Sequence, residues 1–361
     1  MPSSNIAFRR LFQQRLTHDP FQTPGEVVGW MGAVQGQEYA DTKWSLGMRM
    51  AHATDDLIER AFNEGQILRT HMLRPTWHFV TPADIRWIQA LTGPRVNVGN
   101  AYMYRRLGLD NALLLRCNDL LARMLEGGHQ LTRVELGKAL AKEGIDTADG
   151  MRLGYIIHHA ELDAVVCSGP RRGKQFTYML LSERAPRAVT LTRDEALAEL
   201  TRRYYTSRGP ATVHDFSWWS GLTIADVKTG IAMLADELVS EGINVQTYYS
   251  SAAYPPADGP TPLAFLLPPY DEFVIGYANF NRSRTAGQDL EHSMVFDSTI
   301  VHGGRFIGSW RRTFQKDSVT VQIAPFQPFT TDQSEAVDAA VRRYGQFTGL
   351  RVECIIMEND R

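Results

Sequence analysis

The sequence predicts an α+β fold: three tandem winged helix-turn-helix domains followed by a C-terminal domain on a small β-sheet or barrel. Two observations predict it. An order of elements, several helices and then a hairpin, recurs three times without tight sequence identity between the copies. Beyond residue 259 the pattern changes to short apolar runs separated by glycine-rich and polar turns. At 361 residues the chain is too long for one small core. The domains are expected at 1–108, 109–186, 187–258 and 259–361.

In the first unit, Ile6, Phe8, Leu11, Phe12 and Leu16 give residues 5–16 a helical spacing. Thr23-Pro24 then supplies an N-cap with proline at the first helical position. A helical stretch over 24–50 is interrupted by Val34-Gln35-Gly36-Gln37-Glu38-Tyr39, after which Ala40, Trp44, Met48 and Ala51 resume an apolar stripe. Thr54 followed by Asp55-Asp56 opens another helix, with acids in its first turn. From Gly65 the pattern alternates, and 67–73 and 76–80 read as a hairpin around Arg74-Pro75. Thr81-Pro82-Ala83-Asp84 caps a helix through Trp87 and Leu91.

The second unit has helices over 113–125 and 136–141, the latter behind the capping box Thr132-Arg133-Val134-Glu135, and a third over 147–162. Strands at 164–168 and 175–180 face each other across the basic tip Gly169-Pro170-Arg171-Arg172-Gly173-Lys174. The third unit has helices over 194–205, 212–219 and 223–239, and a shortened wing at 242–249. Residues 252–262 are a linker by their proline and alanine content. Strands are expected at 263–267, 273–277, 299–301 and 319–323, then a helix over 334–344 and a last strand at 350–356.

Hydrophobic content of 43%, charge of 22% and a net charge of −2 describe an ordinary globular protein with no overall basic excess. Charge is nevertheless local. Between Gly65 and Leu109 lie Arg69, Arg74, Arg86, Arg95, Arg105 and Arg106 against the single acid Asp84. Arg171, Arg172 and Lys174 gather on one wing, and Arg311-Arg312 follow Trp310. Such patches attract phosphate and release counterions, so double-stranded DNA is the expected partner. Cys117, Cys167 and Cys354 are too scattered for a disulfide framework or a cysteine zinc site, and no metal or other cofactor is expected. A charged N-terminal stretch and the lack of a long apolar run point to a cytoplasmic protein without a membrane partner. A monomer is expected.

Gln35 and Gln37 form the candidate catalytic pair. Residues two apart on a helix point nearly opposite ways, so the two amides share a target only on an extended or kinked backbone, which Gly36 permits. The bland alternative is a glycine helix terminator with Glu38 in the next first turn. Lys43 reads as a solvated helix residue rather than a Schiff-base nucleophile. Glu38 and Asp41 are the nearest carboxylates. On the first hairpin, Arg69, Arg74 and Thr76 are candidate DNA contacts. His71 and His78 read either as contacts to a damaged base or phosphate, or as structural histidines, and Trp77 as a packing residue.

Gln35-Gly36-Gln37, the runs 68–80 and 211–223, and Leu267-Pro-Pro-Tyr-Asp-Glu-Phe-Val-Ile-Gly-Tyr277 resemble the bacterial winged-helix DNA glycosylases of the AlkZ and YcaQ type, over nearly the whole chain. The resemblance implies tandem winged helices around a concave DNA-binding face. It also implies hydrolytic excision of alkylated bases by a monofunctional glycosylase, including unhooking of interstrand crosslinks. Gln35 and Gln37 match the Gln-x-Gln branch. That family carries an aliphatic residue where this chain has Gly36, and an Arg-Gly-Thr-Leu-His hairpin in its crosslink-resistance branch where this chain has Arg74-Pro75-Thr76-Trp77-His78. The alternative reading is a winged-helix protein that binds DNA without cutting it, as a transcription regulator or a shield for damaged sites.

Overall fold

The computed structural model describes residues 2–254, 263–278 and 298–357. Helices α1 (Pro2–Gln13) and α2 (Pro24–Met31) lead to the short strand β1 (Val34–Gln35), followed by α3 (Tyr39–Gly47) and α4 (Asp55–Asn63). Thr23 and Glu26 close a capping box on α2, and Gly32 ends it at φ 74, a left-handed conformation that favours glycine. The chain then emerges extended and pairs with the hairpin β2 (Leu68–Met72) and β3 (Thr76–Val80) in a sheet of order β1-β3-β2. The interruption read at 34–39 therefore opens as a two-residue strand, with Gln35 opposite His78, and bends at Gln37-Glu38 before α3 begins.

Helix α5 (Ile85–Arg106) runs well past Leu91, through Pro94. Local rules stop a helix before proline, but tertiary packing carries this one: a Cβ on Gly93 would lie 2.8 Å from the Leu162 carbonyl oxygen, so the glycine lets two helices meet backbone to backbone. The second unit comprises α6 (Asn111–Leu125), β4 (Leu131–Thr132), α7 (Arg133–Lys142), α8 (Gly150–Leu162), β5 (Val166–Ser168), β6 (Thr177–Leu180) and the single turn α9 (Leu181–Arg184). Its sheet has the order β4-β6-β5. Helix α8 starts at Gly150 rather than 147, because Asp149 is the residue whose side chain caps it.

The third unit comprises α10 (Arg193–Arg208), α11 (Val213–Ser220), α12 (Ile224–Met233) and the hairpin β7 (Leu238–Ile243) and β8 (Gln246–Ser251). Capping boxes at Thr192, Thr212 and Thr223 start all three helices. Two expectations change here. Helix α12 stops at Met233, and the shortened wing is a full hairpin in register from Leu238 to Ser251, turned at Asn244 with φ 54, which asparagine tolerates.

In the C-terminal part, β9 (Ala264–Leu267), α13 (Glu272–Ile275), β10 (Thr299–His302), β11 (Arg305–Phe314), β12 (Ser318–Pro325), α14 (Thr331–Thr348) and β13 (Arg351–Ile356) form a five-stranded sheet, order β13-β12-β11-β10-β9, with α14 against it. Only the β12–β13 pair is parallel among these strands. The strand expected at 273–277 is instead the helical turn α13, because the Asp271 carboxylate accepts the Phe273 N–H and caps it. The linker read at 252–262 lies, from 255 onward, outside the described residues. No described helix is long and apolar enough to cross a membrane.

The hairpin β2–β3 sits where three apolar cores meet. Phe79 belongs to the core shared by α2, α3, α4 and the C-terminal sheet. Leu68, Met72 and Val80 join a second core with Trp87, Tyr204, Phe216 and Trp219, while Trp77 packs on the third, around α6 and α8. Anything mounted on the hairpin is thereby rigidly placed. Asp271, fully buried, braces the same region: Arg49 donates to both its oxygens (2.9 and 3.0 Å) and Ser45 Oγ to one (2.6 Å). Burial alone would raise this carboxyl's pKa, but Arg49, Ser45 and the Phe273 N–H hold it below the ordinary value. Asp271→Ala leaves Arg49 buried without its partner and should cost about 3–5 kcal/mol in urea denaturation; a loss under about 1 kcal/mol would contradict this account.

Candidate active site

Gln35 lies on β1, the edge strand of its sheet, and its main chain is fixed on every side. Its N–H donates to Glu272 Oε1 (2.8 Å), its carbonyl accepts from Thr42 Oγ1 (3.0 Å), and the next N–H, of Gly36, donates to the Trp77 carbonyl (2.7 Å). Glu272 is wholly buried, and its other oxygen accepts from Arg208 Nη2 (2.6 Å) and Nε (3.1 Å) and from Trp219 Nε1 (2.9 Å). One carboxylate from the C-terminal part thus ties the third unit to the edge of the first sheet.

The strand and the bend after it bring both amides to the hairpin. Gln35 Oε1 accepts from Arg74 Nη2 (3.1 Å), and Gln37 Oε1 stands 3.5 Å from the Trp77 N–H. Gln35 is only 5% exposed, yet its polar end meets a guanidinium rather than an apolar wall; Gln37 is exposed. Gly36 has no left-handed conformation, and a Cβ there would meet Phe79 N at 3.4 Å, ordinary contact. The extension follows from strand pairing and not from the freedom of glycine.

Arg74 reaches back over the hairpin tip to Gln35, and its guanidinium carbon lies 5.3 Å above the ring of Trp218. Trp218 is 51% exposed, with its indole N–H on the Ile275 carbonyl (3.2 Å). Among the described residues Arg74 forms no ion pair, and its buried Nε has no hydrogen-bond partner. Burial lowers its pKa from the ordinary arginine value. Part-buried Thr76, at the start of β3, also has an Oγ1 without a hydrogen-bond partner among the described residues.

Several expected DNA contacts are differently employed. Arg69 is buried: Nε donates to the Gly36 carbonyl (2.9 Å), and the guanidinium lies between the rings of Trp77 (4.1 Å) and Phe176 (4.6 Å). Burial brings its pKa down to about 10, so it stays charged and braces the Gln-Gly-Gln segment from below. His78 is wholly buried, out of reach of a phosphate, with Nδ1 on the Thr76 carbonyl (3.0 Å). His71 lies against Trp77 and His158 with its ring tilted to both, and its Nδ1 is hydrogen-bonded to buried Glu161 Oε2 at 2.6 Å. Burial raises the Glu161 pKa well above the carboxylate range and lowers that of His71 to about 3.

Arg171 does not extend from its wing. It turns inward onto Glu59 (3.2 Å to both oxygens), between the rings of Tyr39 and Phe176. Arg172 is exposed but paired with Glu135 (2.7 Å), and Lys174 is exposed. Arg312 pairs with Asp41, which removes both from the free charges expected near the site. Lys43, expected in solvent, is buried between Asp55 (2.7 Å) and Glu59 (2.9 Å).

The sequence left Asp271, Glu272, Arg208 and Trp218 unassigned. The signal for the acids was there: Asp271-Glu272 are the two charges within the apolar run 263–277.

A family model described as DNA glycosylase AlkZ-like matches residues 28–347. An interstrand DNA cross-link repair glycosylase of Streptomyces sahachiroi is 23% identical over 342 residues, covering 87% of this chain and 90% of that protein. The solved structure of the Streptomyces sahachiroi DNA glycosylase AlkZ has the same fold, at a TM-score of 0.80 and 20% identity, covering 98% of this chain and 99% of that one.

Two outcomes follow from the geometry. Gly36→Ala should fold with a stability within about 1 kcal/mol of the parent; a melting temperature lowered by more than about 4 °C would show that the glycine is required. Burial also lowers the pKa of His78 and His158 to about 3, as for His71. Below pH ~6.5 the unfolded chain takes up protons that the folded histidines refuse. Stability is therefore present above that pH and should fall on acidification, by up to about 1.4 kcal/mol per pH unit per histidine, partly offset by Glu161, whose raised pKa works the other way. Denaturation midpoints unchanged between pH 7 and 5 would contradict this.

Proposed function

Because the chain belongs to the AlkZ-like DNA glycosylase family, we propose that it is a monofunctional, monomeric enzyme that hydrolyses the N-glycosidic bond of cationic alkylated purines in double-stranded DNA, interstrand crosslinks among them. The observation that carries this reading is the pair of uncharged amides, Gln35 and Gln37, addressing one hairpin tip beside an arginine without an acidic partner among the described residues. A carboxamide supplies no proton at any biological pH. An intact base cannot leave without one, whereas an N7- or N3-alkylated purine already carries positive charge and departs neutral. What remains is to place a water on the sugar and to offer dipoles to the developing oxocarbenium, which amides do through their oxygen acceptors and N–H donors.

Lys43 supports the monofunctional reaction. A Schiff-base nucleophile needs an amine free to reach the sugar, and this one is buried with its Nζ donating to both Asp55 and Glu59. The crosslink substrates rest on the relative named above as a cross-link repair glycosylase. We read the three helix-then-hairpin units as winged helices and the five-stranded part as a fourth domain, divided near residues 108, 186 and 258. In the second unit the helix before the wing, α8, buries His158, His159, Glu161 and Leu162 and packs on α5 and β2, so that unit meets DNA through Arg172 and Lys174 rather than through a helix in the groove. Arg74 and Thr76 meet the strand beside the lesion.

The test is release of N7-methylguanine from a duplex by purified protein. Gln37→Ala and Gln35→Ala should each lower the single-turnover rate by at least about 100-fold, as loss of a preorganised polar group does, with DNA affinity within a few fold, and borohydride should trap no protein–DNA adduct. Binding without base release by the parent protein would leave only a DNA-binding function.

A further inference from the structure

Of the six arginines between Gly65 and Leu109, Arg69 and Arg74 are engaged around the Gln-Gly-Gln segment, and the other four lie on α5. This helix of 22 residues contains no acid. Arg95, Arg105 and Arg106 are exposed, and among the described residues none of their side chains forms an ion pair or a hydrogen bond. At 3.6 residues per turn, Arg95, Tyr102 and Arg106 fall within about 40° of one another, and Val98 and Arg105 widen the stripe on one side. Val98 is 76% and Tyr102 64% exposed.

A helix face that meets only water ordinarily carries charges of both signs three and four residues apart, where they pair. The helix dipole favours Arg105 and Arg106 in the last turn, but it gives no account of Arg95 in mid-helix, nor of a valine and a tyrosine set out among guanidiniums. Unpaired arginines interleaved with exposed apolar groups suit a polyanion with apolar surface of its own, as duplex DNA has in its sugars.

The stripe starts at the candidate site. The Leu73 N–H, at the hairpin tip, donates to Thr92 Oγ1 (3.2 Å), and Arg95 follows less than one turn later, about 60° round the helix. Pro94, Arg95 and Val98 line one open hollow with Leu222 and Thr223. Next to them in sequence, a Cβ on Gly221 would lie 2.6 Å from the Leu73 carbonyl oxygen, so the end of α11 abuts the same tip. From Arg95 to Arg106 the helix rises about 16 Å, a span of about five phosphates on one strand.

Resting on the reading of the chain as an enzyme that acts on double-stranded DNA, we propose that the outer stripe of α5 is a second DNA-contact surface: Arg95, Arg105 and Arg106 bind phosphates of the undamaged duplex on one side of the lesion, and Val98 and Tyr102 lie against the sugars between them. Such contacts read no sequence and set register and orientation instead. Because α5 packs on β2, α8 and α10, the flanking duplex is held along a rod fixed to the hairpin, and the two sides of the lesion are not equivalent to the protein.

The triple variant Arg95→Gln, Arg105→Gln, Arg106→Gln changes exposed side chains alone and should melt within about 3 °C of the parent. On an undamaged duplex at about 0.1 M salt it should bind at least about tenfold more weakly, and its plot of log affinity against log salt should be shallower by about 2–3. With N7-methylguanine placed near one end or the other of a duplex, single-turnover base release at limiting protein should fall for the parent when the flank along α5 is the short one. The triple variant should lose that dependence and keep the parent's response to the opposite flank. Equal affinity and equal salt slope in parent and variant would overturn the proposal and leave the stripe to an acidic protein partner; a variant altered equally toward both flanks would overturn it as well. No base release by the parent on any of these duplexes would overturn the glycosylase reading instead, and binding to the undamaged duplex would still decide the proposal.

Discussion

A single buried carboxylate, Glu272, sets the geometry on which the rest depends. One of its oxygens takes the outward N–H of Gln35 on an edge strand, and the other takes Arg208 and Trp219. An exposed edge N–H would otherwise be bonded to water or to another strand. Here it is tied to the third unit through a charge that leaves no side free. The cost of burying that charge is offset by two guanidinium bonds, an indole N–H and a backbone N–H, as a buried ion requires.

From that anchor the arrangement of the amides follows without special backbone chemistry. Strand pairing with β3 sets the path through Gly36, Arg69 supports it from beneath, and Arg74 meets Gln35 from the tip. Because the hairpin belongs to three cores at once, the amides and the arginine are held by packing that loop residues would lack. Rigid placement suits a reaction in which orientation and fixed dipoles must do what a proton donor does elsewhere.

Much of this was legible in the sequence. Two glutamines around a glycine made sense together only on an extended or kinked backbone, and Gln35 lies on strand β1 with Gln37 at the bend that follows it. Hairpins, capping boxes and the C-terminal sheet announced themselves by alternation, threonine caps and short apolar runs. What escaped was non-local. Nothing near Arg69 or Arg171 in sequence shows that aromatic rings and Glu59 claim them, and Lys43 looked solvated because Asp55 and Glu59 come from the next helix. Pro94 ends a helix by local rules, yet Gly93 against Leu162 carries α5 through it. The run 273–277 read as a strand from its apolar pattern; Asp271 was visible in the sequence, but its role as a buried cap depends on Arg49, which lies far away in the chain.

The central claim is that Gln35 and Gln37 act as one unit on one water and one sugar. A double-mutant cycle tests it most directly, with single-turnover release of N7-methylguanine measured for Gln35→Ala, Gln37→Ala and the double variant. Residues that work as a unit are non-additive, so the double variant should be about as slow as the slower single. A double variant slowed by the product of the two single effects would contradict the account.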